Sequence, residues 1–388
     1  MIPRYRPQLA PIARLAALQP LAALSDEVAK SLGIESWSSS ALFDSGRSAL
    51  AAYFGSLAAL DQRRTVVVSC QICPVVPIVL IAQGFRPIFA DTDTKLPTPG
   101  RAETLAAFSE GGGERHTAAV LFSPFYGHMP SLAGLSRRKF GSTRLVADLA
   151  QGVLIEGAMH EVLGLADAAM FSFGPGKGLD IGGALLAERQ KSSALDLPPS
   201  SFAPIAASTF AMALALRAIQ GLGLYRRFLQ ILDRKVDSAK EWSGHARRLA
   251  SFGPSRGWRI ALRQFSSEVQ IARQRAANLF SSEALLADLK FPEAYGGRAA
   301  THLRQVIRLR DSDRRDAVLA ALRARGIDAM PAGEPLPESY LSRDNFAGNT
   351  DWPNARLFLA DAIRLPFLGR LTATQFKRLQ EALEDALA

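Results

Sequence analysis

Short apolar runs typical of strands alternate with helical runs between residues 66 and 187, and this alternation constrains the fold more than any other feature of the chain. A helix is predicted at 74–82, and strands are predicted at 66–68, 86–91, 117–123, 143–148, 168–173 and 183–187. This spacing favours an α/β fold, in which a large, mostly parallel sheet carries helices on both faces.

Polar side chains stand where several of these predicted strands end. In open parallel sheets, ligands bind at the carboxyl ends of the strands. The residues at or near those ends are Ser69, Tyr126, His128, Asp148 and Ser172. We therefore expect a binding site along this edge, with Tyr126 lining it, whereas we interpret His128 as a solvated loop residue.

A single lysine, Lys177, follows the strand at 168–173 inside a glycine-rich turn. Glycine allows the backbone to approach a ligand closely. Lysine forms Schiff bases with carbonyl substrates and with pyridoxal 5'-phosphate (PLP). Taken alone, the stretch fits an ordinary turn lysine as well as a reactive one.

A helix is predicted from Gly46 or Arg47 to Leu60, with Ser45 as its N-cap. The free N–H groups at such a start can hold a phosphate, and the Arg47 guanidinium adds further donors. An ordinary capped helix has the same pattern.

Three features together match the needs of PLP. The cofactor requires a lysine for its aldehyde, a carboxylate on its pyridine nitrogen and N–H or hydroxyl groups for its phosphate. Lys177, Asp148 and the helix start at Gly46 supply these groups in the predicted arrangement.

Several motifs resemble the DegT/DnrJ/EryC1/StrS family of PLP-dependent sugar aminotransferases, which are fold-type-I enzymes. The most specific part of the resemblance lies between residues 145 and 185. The motifs are Asp148-Leu-Ala-Gln151, Asp167-Ala-Ala-Met-Phe-Ser-Phe173 with Lys177, Ser45-Gly-Arg-Ser-Ala-Leu50, Phe125-Tyr-Gly-His128 and Ala362-Ile-Arg-Leu-Pro-Phe367.

The resemblance implies a role for each matching residue. Lys177 would carry PLP as an internal aldimine and move protons during transamination. Asp148 would pair with the pyridine nitrogen, and Gln151 would lie beside the ring. The phosphate would be bound by Ser172 and by the backbone N–H groups of Gly46 and Arg47.

Two features depart from the family pattern. The position that usually holds a ring-stacking aromatic residue has Cys73 here, or Gln71 slightly earlier. The Asn-x-Arg segment that reaches the partner subunit's phosphate site has no counterpart in residues 201–216.

The implied reaction transfers an amino group from glutamate or glutamine to a keto sugar, most often a nucleotide-linked 4-keto-6-deoxy sugar, within a homodimer. Some relatives have histidine in place of this lysine and catalyse a dehydration instead. Because Lys177 is retained here, amino transfer is favoured over that dehydration. The two departures leave open a catalytically degenerate PLP-fold protein that serves as a binding or partner subunit.

The chain has 388 residues and a net charge of +10, which also allows a nucleic-acid-binding protein. The basic residues are scattered, without a basic–aromatic repeat, and this disfavours nucleic acid as a partner.

The only two cysteines, Cys70 and Cys73, are interpreted as small buried residues and fit a reducing cytoplasm. No secretory leader, membrane span or metal site is predicted.

We predict a PLP-binding large domain at residues 1–238 and a smaller α+β domain at 239–388. The smaller domain is expected to hold a strand at 305–309, helices at 313–325 and 372–387, and a loop at 332–354 that borders the site. Arg304, Arg308 and Arg310 share one face of the predicted strand. A solvated strand face is the favoured interpretation, and the alternative is that one or two of them face the active site and bind phosphates.

Overall fold

The computed structural model describes most of the chain. The described residues are 19–20, 32, 34, 36–37, 39–43, 45–130, 132, 134–152, 158–174, 177–179, 183–189, 251–252, 255–295, 300 and 303–388. The predicted domain boundary at 238/239 lies outside these residues, as do residues 201–216, in which no Asn-x-Arg segment was found. The boundary therefore stays a prediction.

A seven-stranded sheet forms the centre of the described structure. Its strands are β1 (Ser39–Phe43), β2 (Thr65–Ser69), β3 (Arg86–Ala90), β4 (Thr117–Phe122), β5 (Arg144–Asp148), β6 (Ala168–Ser172) and β7 (Ala184–Glu188). Their spatial order is β1-β7-β6-β5-β4-β2-β3. Strand β7 pairs antiparallel with β1 and β6, and the remaining pairs are parallel. The strands predicted from sequence are confirmed, with ends shifted by one or two residues.

Helices follow the strands, as the alternation predicts. They are α1 (Gly46–Leu60), α2 (Val75–Ala82), α3 (Arg101–Glu110) and α4 (Ala158–Leu165), followed by the 25-residue α5 (Ser255–Leu279) and the short α6 (Glu283–Leu286) and α7 (Pro292–Tyr295). Ser45 caps α1, since its hydroxyl accepts a hydrogen bond from the Ser48 N–H at 3.3 Å. The predicted helix from Gly46 to Leu60 is confirmed.

The C-terminal part adds a small antiparallel sheet. Its strands β8 (Gln305–Arg308), β9 (Met330–Pro331) and β10 (Ala362–Leu365) lie in the order β8-β10-β9. They are accompanied by α8 (Arg315–Ala324), α9 (Pro353–Asp361) and α10 (Ala373–Leu387). Thr372 and Gln375 form a capping box at the start of α10. The predicted elements of this region are thereby confirmed, and the 332–354 loop contains only two short 3₁₀ turns, Pro337–Ser339 and Arg343–Asn345.

Both faces of the large sheet are buried. In β2, Val67 belongs to one apolar cluster, whereas Val66 and Val68 belong to the other. Side chains alternate between the faces of a strand, so both faces must be covered. The fold class predicted from the sequence, a mostly parallel sheet enclosed by helices with a smaller α+β part, is confirmed. None of the described helices is long and apolar enough to cross a membrane.

Candidate active site

The carboxyl edge of the large sheet brings two predicted site residues together. Asp148 ends β5 and Ser172 ends β6, and these strands are parallel neighbours with Asp148 opposite Met170. Both side chains are buried, with 3% of Asp148 and 8% of Ser172 exposed. Because the register is fixed by backbone pairing, the two polar groups must face the same end of the sheet.

The buried Asp148 carboxylate has few hydrogen bonds among the described residues to offset the cost of removing it from water. Its Oδ1 accepts a hydrogen bond from the Ala150 N–H at 3.1 Å, the only hydrogen bond to this carboxylate within the described part of the chain. Burial raises the pKa of Asp148, while the Ala150 hydrogen bond and the charge of Lys177 oppose that rise. A cationic donor bound beside Asp148 would stabilise its charged form.

Lys177 lies half-buried in the turn after β6. Its backbone N–H donates to the Gly174 carbonyl at 3.1 Å. The lysine charge lowers the pKa of Asp148, Cys73 and Glu334, so all three groups lie within its electrostatic reach. Glycine is required after it, because Gly178 has φ +100° and a Cβ there would lie 2.3 Å from the Phe265 ring.

The start of α1 packs against Ser172. A Cβ built on Gly46 would lie 3.5 Å from the Ser172 Cβ and 3.6 Å from its Oγ. The start of α1 and the end of β6 therefore bring three predicted phosphate ligands together. These are the Gly46 N–H, the Arg47 N–H and the Ser172 hydroxyl. The Arg47 side chain is exposed there. Helix-start N–H groups with a hydroxyl and a guanidinium suit an anionic group such as a phosphate.

Gln151 supports a turn at the same edge. Its Oε1 accepts a hydrogen bond from the Tyr126 N–H at 2.8 Å. Tyr126 has φ +54°, a conformation that is uncommon for a bulky residue and is held here by this contact. The Gln151 oxygen is thus engaged with the protein backbone.

The structure separates the two residues that could replace the stacking aromatic. Gln71 is buried and bonds the backbone of Glu334 twice, through Nε2 to the carbonyl at 3.1 Å and through Oε1 from the N–H at 2.9 Å. Cys73 is half-buried, and burial raises the pKa of its thiol while the charge of Lys177 lowers it. The Gln71 side chain is thus taken up by Glu334, whereas the electrostatic surroundings of Cys73 include Lys177 and Asp148.

Sequence reasoning missed Glu334, Tyr340 and Arg364. The pKa of Glu334 is raised by burial and lowered by the charges of Arg364, Lys177 and Arg304. The Tyr340 hydroxyl is buried without a hydrogen-bond partner among the described residues, and burial raises its pKa. Two sequence signals were available: the predicted loop at 332–354 contains Glu334 and Tyr340, and the Ala362–Phe367 motif contains Arg364.

Arg364 adds a cation on β10. Its guanidinium carbon lies 5.6 Å from the centre of the Tyr126 ring, and its Nη1 donates to the Tyr126 hydroxyl at 3.4 Å. Its Nε is buried and has no hydrogen-bond partner within the described ranges. Within those ranges it also makes no ion pair, so its charge remains available to a ligand.

Two sequence interpretations are wrong. Arg308 is not solvated: it is 3% exposed and forms an ion pair with Asp361 at 2.7 Å. His128 is also buried, at 3% exposed, with its ring centre 5.2 Å from the Tyr295 ring centre in an edge-to-face arrangement. Arg310 is exposed as expected, and Arg304 is half-buried. Cys70 is buried as predicted, whereas Cys73 is only half-buried.

Comparison with known proteins places this geometry in a known fold. No protein-family model and no curated protein sequence matches the chain. Solved structures match it over its whole length. The aminotransferase TlmJ from Streptoalloteichus hindustanus has a TM-score of 0.71 at 18% identity, covering 100% of this chain and 99% of TlmJ.

Two further structures show the same likeness. A protein described as a sugar aminotransferase, Spr1654 from Streptococcus pneumoniae in its PMP form, has a TM-score of 0.65 at 15% identity, with coverage of 100% and 99%. A DegT DnrJ EryC1 StrS aminotransferase from Brucella abortus has a TM-score of 0.64 at 17% identity, with coverage of 97% and 94%.

The chain therefore has the α/β fold of PLP-dependent fold-type-I aminotransferases. Its resemblance to the DegT/DnrJ/EryC1/StrS group, first seen in short motifs, extends to the fold of the whole chain.

Proposed function

We propose that this protein is a PLP-dependent aminotransferase that moves an amino group from glutamate or glutamine to a keto sugar. A nucleotide-linked 4-keto-6-deoxy sugar is the proposed acceptor class, and a homodimer is the proposed assembly. The observation that carries the proposal is that the buried Asp148 and Ser172 end neighbouring parallel strands at the edge of the sheet that the half-buried Lys177 turn follows. The proximity of Gly46, at the start of α1, to Ser172 supports the proposal, since both are predicted to bind the phosphate.

The residues at this edge fit PLP. The Asp148 carboxylate is buried and accepts a single hydrogen bond from the described residues, which leaves room for the protonated pyridine nitrogen as a second donor. Gly46, Arg47 and Ser172 would bind the phosphate, and Gln151 and Cys73 would border the ring. Lys177 supplies the amine for the aldehyde carbon. The neighbour Spr1654 has been solved in PLP and PMP forms, in keeping with this cofactor.

Bound PLP supplies an electron sink that makes the substrate's C–H bond acidic. Lys177 would then hold and return the proton at its Nζ, while Asp148 would keep the ring nitrogen protonated. Because Asp148 is buried, water would be excluded from that hydrogen bond, which would strengthen it. These roles assign acid–base chemistry to Lys177 and electrostatic tuning to Asp148.

A degenerate PLP-fold subunit is the second candidate. The observation that favours it is that Cys73 stands at the position where an aromatic ring is expected. The Gln71 side chain forms two hydrogen bonds with the Glu334 backbone. Such a protein would bind PLP without turnover.

Spectroscopy with candidate substrates separates the two. The purified protein is loaded with PLP and mixed with glutamate or glutamine, and conversion to the pyridoxamine form is followed by absorbance. The converted protein is then mixed with nucleotide-linked 4-keto-6-deoxy sugars. An aminotransferase converts with the donor and reverts with its acceptor, whereas a degenerate subunit keeps its first spectrum. Light scattering of the same sample tests the homodimer.

A further inference from the structure

Glu334 is held rigidly at the candidate site. Its N–H donates to Gln71 Oε1 at 2.9 Å and its carbonyl accepts from Gln71 Nε2 at 3.1 Å. Gln71 itself is 1% exposed, so this double contact is protected from water. The preceding residue, Gly333, has φ +106° and donates to the Tyr126 hydroxyl at 3.1 Å. The backbone around Glu334 is therefore fixed from two sides, which limits the directions its side chain can take.

The Glu334 carboxylate has no bonded partner in the described part of the chain. The hydrogen bonds of Glu334 there use its backbone N–H and carbonyl alone, and it forms no ion pair. Yet burial raises its pKa, and the charges of Arg364, Lys177 and Arg304 influence it without reaching bonding distance. Glu334 is half-buried, so a ligand at this edge of the sheet can reach its carboxylate. That carboxylate has acceptor positions left for hydrogen-bond donors of the ligand.

The type of donor follows from charge. An ionised carboxylate or an uncharged carbonyl of a ligand has no proton to donate to the Glu334 carboxylate. Hydroxyl groups donate readily to a carboxylate and make strong, short hydrogen bonds with it. Adjacent sugar hydroxyls can donate to its two oxygens.

We propose that Glu334 is a specificity-determining residue that binds a hydroxyl group of the acceptor sugar next to the carbonyl held near Lys177. This inference rests on the proposed aminotransferase function. It predicts that Glu334 distinguishes hydroxylated acceptors from keto acids that lack hydroxyls.

The test compares two acceptors in two variants. Glu334→Gln keeps the shape and removes the charge. Glu338→Gln is the matched control, since Glu338 is exposed in the same loop and pairs with Arg356 at 2.8 Å on the surface. The pyridoxamine form of each protein is mixed with dTDP-4-keto-6-deoxyglucose or with 2-oxoglutarate, which has no hydroxyl, and kcat/KM is measured for each. Calorimetry with the same nucleotide sugar measures binding without turnover.

For Glu334→Gln, we expect kcat/KM with the sugar to fall about 10- to 100-fold, mainly through KM, as for loss of a hydrogen bond to a charged group. The value with 2-oxoglutarate should stay within about threefold, and Glu338→Gln should match the wild type with both acceptors. Equal losses with both acceptors would overturn the proposal. The proposal would also be overturned if the wild-type protein bound the nucleotide sugar no more tightly than Glu334→Gln does. A wild type that fails to bind PLP would instead overturn the proposed function itself.

Discussion

The Arg370 guanidinium donates a 2.6 Å hydrogen bond from Nη2 to the carbonyl of Gly178, the residue directly after Lys177. The same guanidinium pairs through Nε with Glu268 of α5 at 2.8 Å, and the side chains of this ion pair are only 8% and 13% exposed. The C-terminal segment thus holds the lysine turn in place from outside the large sheet.

Breaking this contact should loosen the lysine turn. Arg370→Met removes the largely buried ion pair with Glu268 and should lower the free energy of unfolding by about 3–5 kcal/mol, because removing one member of a buried ion pair is costly. Urea unfolding measures this loss. Arg325→Met, at an exposed pair with Asp385, is the matched control and should cost about 1 kcal/mol or less. Equal losses in the two variants would contradict the role given to Arg370.

Gly178 should tolerate no side chain. In Gly178→Ala, the added Cβ would lie 2.3 Å from the Phe265 ring at φ +100°. The backbone strain alone is about 1–3 kcal/mol, before any displacement of the ring. Gly164→Ala in α4 is the control, because among the described residues no atom outside its chain neighbours and its own helix backbone lies within 4 Å of the added Cβ. It should be neutral or stabilising by up to about 1 kcal/mol. Thermal unfolding of both variants tests the pair, and unchanged stability of Gly178→Ala would contradict the packing.

Asp148 should make the cofactor-free protein less stable as pH rises. Its folded pKa is raised above the ordinary value of 3.8, so its contribution to stability is fully present below that pH and is lost as pH rises through the folded pKa. Asp148→Asn should remove this part of the pH dependence.

Urea unfolding of the PLP-free protein between pH 4 and pH 8 measures the difference. Asp148→Asn should weaken PLP binding even though it removes a cost to the stability of the PLP-free protein. The PLP affinity of the variant should fall by roughly tenfold or more, because the charged hydrogen bond is lost. A variant with wild-type PLP affinity would contradict the assignment of Asp148 to the ring nitrogen.

Gln71 should act through Glu334. Gln71→Met removes both hydrogen bonds to the Glu334 backbone, each worth about 1 kcal/mol. We expect the acceptor preference to shift in the same direction as in Glu334→Gln, with the cofactor spectrum unchanged. A loss of PLP binding instead would indicate that Gln71 serves the ring directly.

Local patterns predicted the sheet and its polar edge, but they could not predict contacts across long stretches of chain. Asp148 and Ser172 could be placed because a strand's end is visible in its own residues and parallel strands align those ends. Arg308 was misjudged because its partner, Asp361, lies 53 residues away. The same holds for Gln71, whose contact with Glu334 spans 263 residues of the chain.

The covalent site of PLP tests the central claim most directly. The PLP-loaded protein is treated with borohydride, digested and examined by mass spectrometry, with Lys177→Ala and Lys139→Ala run in parallel. Lys139 lies on an exposed 3₁₀ turn and serves as the control. The account predicts a visible absorbance band that borohydride abolishes, a pyridoxyl group on Lys177, and loss of both in Lys177→Ala alone. A protein that shows no such band with added PLP, or that carries the pyridoxyl group on another lysine, would contradict it.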